Sequence, residues 1–214
     1  MAHRITAMRA HLRNPGLLRI FIDNEHAFTV KLIDAADLKT GMSLTAEQME
    51  RLQRKHELEG AYLRSIRYLG YRMRSCREIE QFLDRKKCSP AVVAETIRRL
   101  RESRLIDDQA FAHWWVAHRC RMKPRSTHAL RFELLQKGID ESIISAALAA
   151  ADDDRMALAL LETKRKQWRR LEGRQKRQKI LAFLHRRGFR YEIAKNAYEA
   201  FTQQTGQFND DDGV

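Results

Sequence analysis

The stretch STHALRFELLQKGIDESIISAALAAA, residues 126–151, decides the fold, because its apolar pattern occurs three times along the chain. Shifted by 51 positions, residues 75–100 overlay it: Ile79 falls on Leu130, Leu83 on Leu134 and Lys86 on Lys137. Val92 and Val93 fall on Ile143 and Ile144, and Ile97 on Leu148. A further shift of 50 gives a third copy, with Leu130 on Ile180, Leu134 on Leu184 and Lys137-Gly138-Ile139 on Arg187-Gly188-Phe189. Ile143, Leu148 and Ala151 then fall on Ile193, Tyr198 and Phe201. A constant offset through helices and loops alike indicates tandem repeats of about fifty residues.

Within each copy the apolar residues recur at three and four, the helical period, and each repeat reads as three helices. In the first these span residues 57–71, 75–86 and 90–101. Ser75 with Glu78 fits a capping box, and Ser89-Pro90 an N-cap followed by proline at the first helical position. Gly138 and Gly188 suit the left-handed residue that ends a helix, with Asp140 capping the next one.

Outward from the repeats the pattern changes. Residues 1–16 are basic, weakly patterned and end in Asn14-Pro15-Gly16, which reads as a mobile arm. Residues 17–22 and 25–30 are β-prone runs around Asp23-Asn24, a hairpin and the one convincing strand signal. Residues 31–38 read as a short helix, and Thr45 with Gln48 as a capping box opening another. The expected layout is 1–56 for the arm, hairpin and short helices, 57–106, 107–151 and 152–206 for the repeats, and 207–214 for a disordered acidic tail around Asp210-Asp211-Asp212. The expected fold is all-α: three tandem three-helix bundles in an elongated, curved array, with a small hairpin-containing N-terminal extension.

Composition agrees. Only 3 prolines and 9 glycines interrupt 214 residues, and 43% of the chain is hydrophobic, enough for a helical core. Lys and Arg number 41 against 28 Asp and Glu, a formal net charge of +13 that attracts a polyanion: DNA, RNA or an acidic protein groove. Cys76, Cys88 and Cys120 show no CxxC spacing and are odd in number, which fits reduced thiols and a cytoplasmic location. No apolar run approaches a membrane span, so no membrane partner is expected. None of the eight histidines stands in HxxxH, HExxH or a Cys/His metal spacing, and no glycine-rich phosphate loop is present. The sequence therefore offers no constellation for catalysis, a metal or a cofactor.

Two segments carry a family resemblance. One is Asp107-Asp108-Gln109-Ala110-Phe111-Ala112-His113-Trp114-Trp115-Val116-Ala117-His118-Arg119. The other is Lys123-Pro124-Arg125-Ser126 running into Leu130, Glu133-Leu134 and Lys137-Gly138-Ile139. Arg74-Ser75 with Glu78-Ile79, and the join Leu105-Ile106-Asp107-Asp108, add to it. In order and spacing these resemble the RecX family, over residues 57–150 most closely. The resemblance implies three tandem three-helix repeats and a non-enzymatic regulator that binds RecA filaments in their helical groove. It further implies restraint of strand exchange, ATP hydrolysis and coprotease activity, in DNA repair, recombination and the SOS response. The third repeat departs from the pattern in a first helix that reads as unusually basic and polar.

The candidate binding residues are basic. Between 164 and 190 lie Lys164, Arg165, Lys166, Arg169, Arg170, Arg174, Lys176, Arg177, Lys179, Arg186, Arg187 and Arg190, opposed only by Glu172. A face of one sign stores repulsion that a polyanionic partner relieves, whereas a solvated helix face usually mixes signs. A smaller set, Arg119, Arg121, Lys123, Arg125 and Arg131, lies in the second repeat, and Arg72 and Arg74 in the first. Phe111, Trp114 and Trp115 sit at helical spacing; Phe111 reads as core, with one tryptophan left exposed. Asp107 and Asp108 read as a helix N-cap rather than an acid pair for chemistry. The expected partners are the RecA filament and single- or double-stranded DNA, and a monomer is expected. A direct DNA- or RNA-binding module of helix-turn-helix-like bundles is the alternative; such readers usually dimerise onto half-sites, and the chain shows no dimer signature.

Overall fold

The computed structural model describes residues 3–12 and 14–207 and divides the chain into two units. The first comprises Met1–Arg74 and Glu78–Ile106, the second Ser75–Arg77 and Asp107–Val214.

The first unit opens with a four-stranded antiparallel sheet, where a hairpin alone was expected. β1 (His3–His11), β2 (Asn14–Ile22), β3 (Glu25–Lys31) and β4 (Ser43–Leu44) lie in the order β3-β2-β1-β4. The expected mobile arm is thus strand β1 and the start of β2. Its apolar signal is thin because Arg4 and Arg9 interrupt it, but Ile5 is buried and the Arg9 guanidinium lies over the Phe21 ring. Pro15 is tolerated in β2 because the β1–β2 register slips there, between Ala10↔Leu18 and His11↔Asn14. The hairpin turn falls where expected. Asp23 and Asn24 both hold positive φ, 52° and 65°, the left-handed pair whose twist matches the flanking strands.

Residues expected as a short helix form a single 3-10 turn, Leu32–Ala35. The capping box at Thr45 and Gln48 is present in both directions and opens α1 (Ala46–Leu69). This helix runs without a break through the expected boundary at 56/57. Its first half packs Met49 and Leu52 against the sheet core of Ile5, Ile20, Phe28, Val30 and Leu44. α2 (Cys76–Arg85) and α3 (Pro90–Glu102) follow, with Ser89 as N-cap and Pro90 at the first position.

The second unit holds α4 (Asp108–Met122), α5 (Thr127–Gln136) and α6 (Glu141–Leu148), then α7 (Asp153–Glu162), α8 (Arg165–Trp168), α9 (Gly173–His185) and α10 (Tyr191–Gln207). The tail beyond 207 lies outside the described residues. The repeat alignment holds at side-chain level: Ile79, Leu130 and Ile180 are fully buried, as are Leu83, Leu134 and Leu184. The helix-ending positions Lys87, Gly138 and Gly188 share left-handed backbone, with φ of 59°, 76° and 90°. The first helix of the third repeat corrects the expectation. α7 is amphipathic and buries Ala157, Leu160 and Leu161, and the basic run begins only after it.

A joint of fixed design recurs in the second unit. The Ser75 hydroxyl donates to the Lys137 carbonyl, and the Cys76 amide donates to the Asp108 carboxylate, both at 2.8 Å. The Ser126 hydroxyl likewise donates to the Gly188 carbonyl, and the Thr127 amide to Asp153, both at 2.7 Å. Asp107 and Asp152 cap α4 and α7 by accepting backbone amides. The acid pair 107–108 is thus a cap and a joint, as its position before a helix implied, and the pair 152–153 repeats the arrangement.

Candidate interaction surface

Each repeat places an aromatic residue of its first segment near the middle of its second helix, with a cation one turn further on. Tyr68 stacks on Phe82 at 4.3 Å, and the Lys86 ammonium lies over Phe82. In the second repeat Glu133 occupies the position of Phe82 and accepts the Trp115 indole N–H at 2.8 Å, with Lys137 over the indole. In the third, Trp168 packs at 5.3 Å against Phe183, which carries Arg187 and Lys164 on its ring. Half-buried rings thus hold cations that the sequence alone presents as surface charge.

The basic residues accordingly fall into two groups. Arg72 and Arg74 pair with Glu78, which is mostly buried, and Arg74 also lies over Tyr68. Arg119 and Arg125 converge on Glu133, at 2.8 and 3.2 Å. Arg131 pairs with Glu141. Arg165 forms two hydrogen bonds to Glu162, and these hold its guanidinium pKa above the ordinary value. Lys176, with Arg165, faces the Phe201 ring. These side chains are committed to the fold.

The remainder are exposed and make no ion pair among the described residues: Lys166, Arg169, Arg170 and Arg174 around the start of α9, Arg177 and Lys179 along it, and Arg186 and Arg190 past its end. Arg121 and Lys123, at the end of α4, are also exposed and unpaired among the described residues. Among the candidate binding residues, the free positive charge is therefore concentrated on α8 and α9 and their flanks, within the second unit. Glu133, noted in the sequence only as part of the family pattern, is the group whose role as a hub for cations went unread. Its signal was available, because it is the only acid between Arg119 and Lys137, a span dense in cations.

Phe111 is fully buried, as expected. Neither neighbouring tryptophan stays exposed: Trp115 is held by Glu133, and Trp114 stacks on His118 at 5.2 Å. Among the described residues no group of His, Cys, Asp and Glu is arranged to hold a metal, and no helix is long and apolar enough to cross a membrane.

Family models of the first, second and third RecX three-helix domains match residues 61–100, 107–148 and 152–198. The chain belongs to the RecX family. Regulatory protein RecX of Bacillus subtilis is 30% identical over 213 residues, covering 97% of this chain and 79% of that protein. The RecX protein of Oceanobacillus iheyensis is 30% identical over 193 residues, covering 87% and 71%. A crystal structure of regulatory protein RecX superposes with a TM-score of 0.65 at 26% identity, over 94% of this chain and 99% of that one. RecX from Lactobacillus salivarius shares the fold, with a TM-score of 0.59, 24% identity and coverage of 69% and 97%. The three RecX domains correspond to the second half of α1 through α3, to α4–α6 and to α7–α10, so the sheet and the first half of α1 precede the matched domains.

Proposed function

We propose that this protein is a non-enzymatic regulator of RecA that binds the RecA–DNA filament in its helical groove and restrains recombinase, ATPase and coprotease activities. Membership of the RecX family supports the choice of RecA as partner. The observation that carries the binding mode is the set of unpaired cations on α8 and α9, from Lys166 to Arg190. Crowding charges of one sign costs free energy in the unbound protein, and a polyanionic surface of DNA phosphates and acidic protomers offsets that cost. The protein acts in the cytoplasm as a monomer, with reduced thiols and no cofactor. The test adds purified protein to RecA–single-stranded DNA filaments and follows ATP turnover, strand exchange and filament length by electron microscopy. Inhibition with shortened or blocked filaments is expected, with no hydrolysis by the protein alone. Binding to free oligonucleotide without any effect on RecA would favour the direct nucleic-acid module instead.

A further inference from the structure

The first unit carries a groove that the RecA reading does not use. It has a volume of about 720 Å³ and lies between the ends of β2 and β3, the following 3-10 turn, and the middle of α1. Its apolar lining comes from Leu17, Leu32, Ile33 and Leu63. Three of these are large aliphatic side chains left open to solvent: Leu32 is 54% exposed, Ile33 80% and Leu63 45%. Scattered exposed leucines are ordinary, but three lining one concavity constitute a patch.

The groove is also positive. Lys31, Arg64 and Arg67 line it beside His56, and Glu59 is its single acid. Glu59 is already shared between Lys31 and Arg99, so Arg64 and Arg67 face the groove without a carboxylate. Two nitrogens here, His56 Nδ1 and Arg64 Nε, are buried with no hydrogen-bond partner. Both are closed to solvent, so they lie behind the groove wall, and it is the exposed guanidinium of Arg67 that a ligand would meet first.

We propose that this groove is a docking site for a short segment of a partner protein in which an aliphatic or aromatic side chain is flanked by carboxylates. The apolar side chain enters between Ile33 and Leu63, and the carboxylates meet Arg64 and Arg67. Charge complementarity selects an acidic segment. The aliphatic floor selects against nucleic acid, because no Phe, Tyr or Trp lines the groove and single-stranded bases bind on such rings. The volume is that of a site for a few side chains. The site goes beyond the RecA reading and uses none of the α8–α9 cations.

The test uses the full chain and a fluorescein-labelled probe peptide, Asp-Asp-Leu-Phe-Asp-Asp, followed by anisotropy. Micromolar binding is expected, weakened by about tenfold or more in each of Leu63→Asp and Arg67→Glu, both at exposed positions, with unchanged circular dichroism. Arg174→Glu should leave peptide binding unchanged while weakening filament binding, so that failure of one reading is distinguishable from failure of the other. The proposal is overturned if the probe fails to bind below millimolar concentration. It is also overturned if Asp-Asp-Ser-Ser-Asp-Asp binds equally, if an oligonucleotide displaces the probe, or if deleting residues 208–214 tightens binding, which would make the chain's own end the occupant.

Discussion

The Ser126 hydroxyl donates a 2.7 Å hydrogen bond to the carbonyl of Gly188, 62 residues away, and Gly188 holds φ of +90° to receive it. The same side chain accepts from the Ala129 amide, and the Ser126 amide donates to the Arg187 carbonyl. One serine thus caps α5 and ties it to the corner before α10.

Gly188→Ala should therefore destabilise the second unit. An added Cβ would lie 2.7 Å from Ser126 Oγ and 2.8 Å from Ala129 Cβ, in a backbone conformation that side chains disfavour. A loss of about 2–3 kcal/mol is expected from strain and overpacking. Ser126→Ala should cost about 1–2 kcal/mol, the value of a lost cap. Urea denaturation curves measure both. A Gly188→Ala protein as stable as the parent would show that the corner relaxes freely.

Glu133→Ala should cost about 2–3 kcal/mol, because it strips a mostly buried acceptor from Trp115, Arg119 and Arg125 together. Freed from its hydrogen bond, Trp115 should change its fluorescence maximum, which separates loss of the hub from general loosening. Glu133→Gln retains an acceptor for the indole and should cost less.

These two sites show what the sequence discloses and what it hides. The repeats were legible because the same apolar positions, Ile79, Leu130 and Ile180 among them, are buried in every copy, and burial is what periodicity encodes. The sheet was not. β1 offers few strongly apolar residues, its register slips twice, and its partner β4 has only two residues. The charge run was visible, but its division was not. Arg119 and Arg125 belong to Glu133, and Arg187 belongs to the Phe183 ring, through contacts that depend on tertiary packing rather than on spacing.

Acid should weaken the first unit in a defined window. Burial, with help from Lys31 and Arg64, holds the His56 pKa below its ordinary value of 6.5. Between that depressed value and 6.5 the unfolded chain binds more protons, so stability is full above 6.5 and declines as pH falls through the window. Glu59 acts the same way further down. Its hydrogen bonds from Lys31 and Arg99 lower its pKa, and the stability they contribute is lost as pH falls below 4.5. Thermal melts from about pH 7.5 to about pH 5.5 should show a falling Tm in the parent and a flatter profile in His56→Gln. Equal slopes in the two proteins would remove His56 from the account.

The triple reversal Arg169→Glu, Arg170→Glu and Arg174→Glu tests the α8–α9 face. All three are exposed and unpaired among the described residues, so each should change stability by no more than about 0.5 kcal/mol. Affinity for RecA–DNA filaments should nonetheless fall by about tenfold or more, and its dependence on salt should flatten by about one unit of slope for each phosphate contact removed. Arg119→Glu and Arg125→Glu form the contrast, because reversing a partner of Glu133 should damage the fold before it damages binding. Circular dichroism and denaturation curves separate the two effects. If the folded triple variant binds filaments as tightly as the parent, the α8–α9 cations are only a solvated surface. Arg121 and Lys123, free at the end of α4, would then be the next cations of the second unit to reverse.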